Sequence, residues 1–177
     1  VAIKISEEFG LKKIINLANE FGLGKQQKME AFLPMAIGAY GDNLLNITNA
    51  YSTINNNGKF INPNIIEKIE LGNGNLLWTY KIKEKEIISK KTAKNLQIIL
   101  DKSVSEGNAI AAYIPGQIIL GKTGTSDQNR DLWFIGSINK MTTGVWMGFD
   151  DNRSTNLTSG NSAAIWRSYI KRILNIN

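Results

Sequence analysis

Apolar residues in the first third of the chain recur at spacings of three and four, which is typical of helices with one buried face. One helix is predicted at the very start and a second from about residue 11, which Gly22 and Gly24 should end because glycine tolerates left-handed backbone. A third is predicted over 43–57, closed by Gly58. The apolar positions of the three faces are Val1, Ala2, Ile5 and Phe9, then Leu11, Ile14, Ile15 and Ala18, and then Leu44, Ile47, Tyr51 and Ile54.

The spacing changes to two in the middle of the chain. Apolar and polar positions alternate on both sides of the turn Gly72-Asn73-Gly74-Asn75. Because Asn-Gly favours the tight turns that join antiparallel strands, the pattern predicts a β-hairpin. We expect this hairpin to be peripheral and to carry no chemistry. Its alternating apolar residues are Ile69 and Leu71 on one arm and Leu76, Trp78, Tyr80 and Ile82 on the other.

The second half of the chain predicts a helix, three strands and a closing helix. Ser89 is suited to cap the first of these helices, which runs to about Ser103 and ends before Gly107. The connections between the strands are short enough for antiparallel pairing, so we expect a meander that the last helix covers. The strands are predicted over 117–123, 131–138 and 142–149, and the closing helix over 162–175. The predicted fold class is α/β of the α+β type, with antiparallel sheet strands and flanking helices.

Composition places the chain among globular proteins with one sizeable core. Of its 177 residues 42% are hydrophobic, so a single domain is expected. It contains no run near the roughly 18 consecutive apolar residues of a membrane-spanning helix, and no signal-peptide pattern. Because a helical pattern begins directly at Val1, we expect the chain to begin inside an element and any targeting segment to lie outside it. The net charge of +6 comes from scattered lysines, which argues against binding of nucleic acid.

Two absent residue types restrict the chemistry. The chain contains no histidine, so Ser-His-Asp and Cys-His catalysis within it are excluded, and a catalytic serine would need another base, usually lysine. It contains no cysteine, which excludes disulfides and thiolate metal sites. No metal or other cofactor is expected.

The candidate site is Lys122-Thr123-Gly124-Thr125, which follows the apolar run 117–120 on a predicted strand edge. An ammonium group and two hydroxyls can donate hydrogen bonds to a carboxylate, and a glycine lets a substrate backbone approach closely. A carboxylate with an adjacent amide fits these groups. The segment therefore predicts acyl transfer on a peptide.

A second interpretation of the same residues is a phosphate-binding loop. Residues 116–123 match the pattern G-x-x-x-x-G-K-[ST]. Such a loop follows a strand and leads into a helix that begins at the lysine. Here Pro115 precedes the first glycine, the strand-like residues lie between the two glycines, and nothing after Lys122 favours a helix. Nucleotide binding is therefore a less favoured alternative, which a binding assay with magnesium would decide.

Lys122-Thr123-Gly124 resembles the third motif of the penicillin-recognising serine enzymes, whose set is S-x-x-K, S-x-N and K-T-G. Further segments, in the same order and spacing, resemble the bifunctional penicillin-binding proteins, which also carry a glycosyltransferase domain upstream. The resemblance covers nearly the whole chain. The segments are Met35-Ala36-Ile37-Gly38, Asn49-Ala50-Tyr51, Glu106-Gly107, Pro115-Gly116, Asp131-Leu132-Trp133-Phe134-Ile135-Gly136, the stretch 144–151 and Ala164-Ile165-Trp166.

The resemblance implies a partial penicillin-binding transpeptidase fold, which is β-lactamase-like, and a D,D-transpeptidase that cross-links peptidoglycan through an acyl-serine. The implied partners are the D-Ala-D-Ala stem peptide, β-lactam antibiotics and the rest of the parent chain. The implied location is the periplasmic face of the bacterial inner membrane, with an anchor in an N-terminal segment outside these residues. Lys122 would be the third-motif lysine, which interacts with the second-motif serine. Thr123 and Thr125 would hold the substrate carboxylate, Gly124 would keep the strand edge open, and the Thr125 N–H would be one of two oxyanion-hole donors.

The first two motifs of this family are not found before Lys122. Ser137 with Lys140 and Ser168 with Lys171 match S-x-x-K, and S-x-N matches begin at 137, 154 and 159, but all follow Lys122 and are interpreted as chance. Residues 1–177 are therefore predicted to be the C-terminal portion of a transpeptidase domain, inactive alone. The strand over 142–149 would be an open edge, so self-association is expected. A non-catalytic peptide-binding module is the alternative.

Overall fold

A computed structural model describes residues 1–25 and 28–176. These residues form five α-helices and seven β-strands, with short 3-10 turns at Leu33–Ile37, Ile110–Ala112 and Asp127–Asn129. In chain order the helices and strands are α1 (Ala2–Phe9), α2 (Leu11–Glu20), α3 (Leu44–Asn55), β1 (Lys59–Ile61), β2 (Lys68–Glu70), β3 (Leu76–Thr79), β4 (Glu84–Glu86), α4 (Lys90–Ser105), β5 (Leu120–Thr125), β6 (Asp131–Ile138), β7 (Met141–Gly148) and α5 (Ser159–Ile173).

The three helices predicted in the first third of the chain are confirmed, although the third is shorter. Gly10, with a φ of 88°, separates α1 from α2. The side chain of Asn43 caps α3 by accepting a hydrogen bond from the Asn46 N–H at 2.8 Å. The pattern predicted this helix as far as residue 57. It ends at Asn55, because Asn57 already adopts left-handed backbone, with a φ of 55°, ahead of Gly58.

The predicted hairpin is confirmed as the antiparallel pair of β2 and β3, and every residue of both strands is exposed. A second ribbon was not predicted from the sequence. In it β1 pairs with β4, and Lys59 forms an ion pair with Glu84 at 2.7 Å. These two strands are three residues long, and Phe60 is the buried residue among them, so no alternating pattern could indicate them.

Side-chain caps fix the starts of the two helices in the second half of the chain. Ser89 caps α4 as predicted, by accepting a hydrogen bond from the Thr92 N–H at 3.1 Å. The start of α5 is earlier than the predicted residue 162, because Thr158 and Asn161 form a capping box. In this box the Thr158 N–H donates to the Asn161 side chain at 2.9 Å.

The predicted meander is confirmed as the antiparallel sheet β5-β6-β7. The first strand begins at Leu120 rather than at residue 117. Gly116, with a φ of 74°, and the hydrogen bond from the Gln117 N–H to the Ile114 carbonyl at 3.1 Å show that the chain is still turning there. The strand then continues through Thr125.

Different helices cover the two faces of this sheet. On one face Phe134 meets Trp166 of α5 edge to face, with ring centroids 5.3 Å apart, and both side chains are fully buried. On the other face α3 packs against Gly144, where a Cβ atom would overlap Leu44 and Thr48. The buried residues of the main core are Val104, Ala109, Ala112, Ile114, Ile119, Phe134, Ile138, Ala163, Trp166 and Ile170.

The substitution Gly136→Ala tests how closely this sheet packs against α5. A Cβ atom at Gly136 would lie 2.5 Å from Cε2 of Trp166 and 2.7 Å from Cε1 of Phe134. Because both rings belong to a close-packed core, we expect the free energy of unfolding in urea to fall by about 1–3 kcal/mol. Gly72→Ala is the matched control, since a Cβ atom there meets nothing within 4 Å. Equal losses in the two variants would contradict the packing.

Candidate active site

Lys122, Thr123, Gly124 and Thr125 lie consecutively on β5, in extended backbone at one edge of the sheet. The side chains of Lys122 and Thr125 are exposed. The next element after the strand is the short 3-10 turn Asp127–Asn129. A phosphate-binding loop requires an α-helix that begins at the lysine, so this geometry contradicts that interpretation of residues 116–123.

The pleat of β5 sends its side chains to opposite faces of the sheet. Lys122 pairs with Ile135 of β6, and Ile135 pairs in turn with Gly144 of β7. Because α3 packs against Gly144, the Lys122 side chain leaves the strand on the face that α3 covers. Thr123 is opposite Phe134, on the face that α5 covers. The ammonium group and the hydroxyls therefore leave the strand on different sides. The ammonium returns to the strand edge, where Nζ donates to the Thr123 carbonyl at 2.7 Å.

The hydrogen-bond ladder determines which main-chain groups of β5 reach the strand edge. The Ser126 N–H donates to the Asp131 carbonyl at 3.0 Å, just beyond the last strand pair. Hydrogen-bonded and non-hydrogen-bonded pairs alternate in an antiparallel ladder, so the even-numbered residues of β5 bond to β6. Thr123 and Thr125 therefore turn their N–H and C=O groups away from β6. Within the described residues no strand pairs on that side, and the edge is open.

The Lys122 ammonium is a free positive charge at this edge. Its hydrogen bond is to a main-chain carbonyl, and among residues 1–25 and 28–176 it forms no ion pair with a carboxylate. An exposed cation that no acid neutralises attracts anionic groups of a ligand.

Two glycines shape the strand in different ways. At Gly121 a Cβ atom would lie 2.6 Å from Cζ of Phe134 and 2.7 Å from Cγ2 of Val104, so this glycine lets β5 pack closely on the core. At Gly124 the nearest atom to a Cβ would be Cβ of Trp133 at 3.3 Å, within the sheet itself. No atom from outside the sheet is among the nearest neighbours of this position, so the backbone of a ligand can approach Gly124 closely.

A polar network directly after Thr125 was not predicted from the sequence. Asp131 accepts hydrogen bonds from the Ser126 hydroxyl at 2.9 Å and from the Trp146 indole N–H at 3.0 Å, and its own N–H donates to the Ser126 Oγ at 2.8 Å. The short connection between Ser126 and Asp131 could have indicated their contact. The contact with Trp146 depends on the pairing of β6 with β7, which no local pattern encodes.

The serines of the two S-x-x-K matches are engaged within the fold. Ser137 is 2% exposed and shares a hydrogen bond with Thr142 at 2.9 Å. Ser168 donates to the Ala164 carbonyl one turn earlier in α5, at 3.0 Å. These partners support the interpretation that both matches arose by chance.

Comparison with protein families identifies the group to which the chain belongs. Residues 1–171 match the family described as penicillin binding protein transpeptidase domain. The chain is a member of this family. The resemblance drawn from its motifs is therefore confirmed.

Curated penicillin-binding proteins align with most of the chain. It is 32% identical over 173 residues to penicillin-binding protein 1A of Rickettsia prowazekii, which covers 85% of this chain and 22% of that protein. It is 29% identical over 174 residues to penicillin-binding protein 4 of Bacillus subtilis, which covers 96% of this chain and 28% of that protein. The chain thus spans less than a third of the length of these relatives.

Solved penicillin-binding protein structures have the same fold. Penicillin-binding protein 1A of Haemophilus influenzae superposes with a TM-score of 0.87 at 22% identity, over 99% of this chain and 33% of that one. Penicillin-binding protein 3 of Mycobacterium tuberculosis, complexed with aztreonam, superposes with a TM-score of 0.79 at 19% identity, over 99% of this chain and 49% of that one. The predicted fold class, a partial penicillin-binding transpeptidase fold, is confirmed.

The alternation along β5 predicts the exchange of individual amide hydrogens. We expect the amides of Thr123 and Thr125 to exchange with solvent at least about tenfold faster than those of Lys122 and Gly124, because only the latter donate to β6. Residue-resolved hydrogen exchange by NMR measures this. The Phe134 amide, on the central strand, is a slow internal reference. Fast exchange at Lys122 and Gly124 with protection of the two threonines would contradict the register.

Proposed function

We propose that residues 1–177 are the C-terminal portion of the transpeptidase domain of a bifunctional penicillin-binding protein. Such a domain catalyses D,D-transpeptidation of peptidoglycan. A serine attacks the D-Ala-D-Ala end of a stem peptide, terminal D-Ala leaves, and the acyl group passes to a neighbouring amine. The observation that carries this proposal is the open edge of β5, where residues 122–125 offer a free cation, two hydroxyls and two outward N–H groups. Membership of the transpeptidase family supports it.

Each residue of this edge has a proposed role. The Lys122 ammonium interacts with a serine of the second motif, and its positive charge favours removal of the serine proton. The hydroxyls of Thr123 and Thr125 hold the terminal carboxylate of the substrate or of a β-lactam, and Gly124 leaves room for the substrate backbone. The Thr125 N–H is one of two donors to the oxyanion of the tetrahedral intermediate. A donor of this kind is worth about 3 kcal/mol of transition-state stabilisation.

The pleat of β5 suits this division of tasks. Lys122 leaves the strand on the face that packs against α3, and Thr123 leaves it on the face that α5 covers. One strand can therefore direct a cation toward the proton path on one side and a hydroxyl toward the carboxylate on the other. The substrate meets both sets of groups at the edge between the two faces.

The nucleophile comes from outside these residues in this proposal. The hydroxyls of Ser137 and Ser168 are engaged within the fold, and the chain has no histidine to activate a serine. A serine with a lysine base, and a second-motif serine, are supplied by another part of the protein. The chain alone then binds the substrate weakly and does not form the acyl-enzyme.

The location and the ligands follow from the same proposal. Peptidoglycan lies outside the cytoplasm, so the domain acts in the periplasm and is anchored to the inner membrane through another segment of the protein. No helix in residues 1–25 and 28–176 is long and apolar enough to cross a membrane. β-Lactams acylate the same serine as the stem peptide, and solved relatives from Mycobacterium tuberculosis are complexed with aztreonam and with ampicillin.

The substitution Lys122→Ala in the full-length protein tests the proposed role of the cation. We expect acylation by a fluorescent penicillin to slow by about a hundredfold, because the ammonium assists proton transfer from the nucleophile. Stopped-flow fluorescence, with denaturing gels to quantify the adduct, measures the rate. Lys140→Ala is the matched control, since Lys140 is exposed in the turn between β6 and β7 and belongs to a chance motif match. Equal rates for the two variants would remove Lys122 from the proposed machinery.

The chain by itself should form no penicillin adduct that survives denaturation, because it lacks the proposed nucleophile. The same fluorescent penicillin and a denaturing gel measure this, with the full-length protein as the positive control. A stable adduct on the isolated chain would mean that one of its own serines reacts. Binding of a D-Ala-D-Ala peptide by a full-length protein that never labels would instead favour the non-catalytic peptide-binding module.

The outer edge of β7 should make the isolated chain self-associate. Within the described residues this edge has no partner strand, and Phe149, directly after the strand, is exposed. Unpaired edges with apolar neighbours recruit other strands. We expect sedimentation velocity to show dimers or larger species that grow with concentration. A monomer at every concentration would contradict this, and the full-length protein, in which other strands cover the edge, is the control.

A further inference from the structure

Asp131, Ser126 and Trp146 join the three strands of the main sheet at the end where the candidate site lies. Asp131 begins β6, Ser126 follows β5 directly, and Trp146 lies on β7. Each oxygen of the Asp131 carboxyl accepts one hydrogen bond, from the Ser126 hydroxyl at 2.9 Å and from the Trp146 indole N–H at 3.0 Å. The main chain of Asp131 also donates to the Ser126 Oγ at 2.8 Å and accepts from the Ser126 N–H at 3.0 Å. One residue therefore links β5, β6 and β7.

The indole reaches Asp131 because Gly148, opposite Asp131 on β7, has no side chain. A Cβ atom at Gly148 would lie 2.6 Å from Cζ2 of Trp146 and 2.8 Å from the Arg130 carbonyl oxygen. On its other side Trp146 meets Trp133, with ring centroids 6.5 Å apart. The indole is thus confined between Gly148 and a second ring, although the residue is 36% exposed. This confinement directs its N–H at the carboxyl.

The network also fixes the main chain on the far side of Thr125. Thr125 lies between Gly124, which is paired with β6, and Ser126, which Asp131 holds. Beyond Ser126, the turn Asp127–Asn129 adopts left-handed backbone at its last two residues, with φ of 58° and 53°. Residues with a side chain adopt this conformation at a cost in free energy. Without the Asp131 carboxyl, the Ser126 hydroxyl and the Trp146 indole lose their common acceptor, and only the main-chain bonds of Asp131 still hold Ser126. Ser126 can then relax more readily with this turn, and the direction of the Thr125 N–H changes with it.

We propose that Asp131 is a positioning residue for acyl transfer, which holds the Thr125 N–H toward the open edge of β5 by bonding Ser126 and Trp146 together. The inference rests on the proposed function, because it assumes that this N–H stabilises an oxyanion. Asp131 does not contact the substrate and acts through Ser126. A displaced donor stabilises the transition state less, while the Thr123 hydroxyl, which lies within the paired part of β5, stays in place to bind the carboxylate. Loss of Asp131 therefore affects the chemical step more than the binding step.

The experiment measures acylation of the full-length protein by a fluorescent penicillin and separates the maximal rate constant from the dissociation constant of the non-covalent complex. For Asp131→Ala we expect the maximal rate constant to fall by about tenfold to a hundredfold, with a change in the dissociation constant of less than about threefold. Asp131→Asn keeps an acceptor oxygen for the indole and should recover most of the rate. Trp146→Phe removes the N–H and keeps a ring, and should lower the maximal rate constant by about three- to tenfold.

Asp127→Asn is the matched control, because Asp127 is an exposed acid in the turn between Ser126 and Asp131. The maximal rate constant of acylation in this variant should equal that of the wild type. A wild type that does not label overturns the proposed function and this inference with it. If the wild type labels and Asp131→Ala is acylated at the same rate, only the positioning role is overturned. Parallel losses of rate and affinity that Asp131→Asn does not rescue would also overturn it. If Asp131→Ala does not fold, Trp146→Phe decides, and a wild-type rate in that variant refutes the proposal.

Discussion

The pairing register between β5 and β6 is the constraint on which the site depends. A shift by one residue would turn the Thr125 N–H toward β6 and move the Lys122 side chain to the opposite face. Gly121 and Gly136 are opposite each other, and a Cβ atom at either would overlap the ring of Phe134. A shifted strand would place a residue with a side chain against that ring. The packing that selects the register therefore also selects which groups reach the open edge.

Two sets of hydrogen bonds beyond the strand ladder stabilise the end of the sheet that carries the candidate site. Asp131 joins β5, β6 and β7 through its side chain. A second link comes from the segment before α5, where Thr155 donates both its N–H, at 3.1 Å, and its hydroxyl, at 2.7 Å, to the Asn129 carbonyl. Both links end on the connection between β5 and β6. Groups that stabilise a transition state by direction need such rigid support, because they contribute only when they are already aligned.

The sequence predicted the elements whose apolar and polar positions follow a regular period over several residues, and its limits were those of local information. It located the meander and the candidate site, because apolar residues lead into β5 and recur along β6 and β7, and the K-T-G resemblance marks the first of these strands. It could not reveal the ribbon of β1 and β4, since both strands are short and the hairpin of β2 and β3 separates them in the chain, so no turn signal joins them. Every strand alternates its side chains between two faces, so the separation of Lys122 from the threonine hydroxyls follows once β5 is recognised as a strand. The contact between Asp131 and Trp146 does not follow, because it depends on the pairing register of the strands.

The two outer strands of the sheet differ in what protects their open edges. Lys122 lies on β5, and its ammonium group bonds to the outward carbonyl of Thr123, so a competing strand would meet both a charge and an occupied acceptor. β7, from Met141 to Gly148, contains no charged residue at all. A strand without charge is suited to pair with further strands of the same domain. The proposed substrate edge has the opposite requirement, and a lysine that repels other strands and offers a cation to the groups that approach this edge satisfies it.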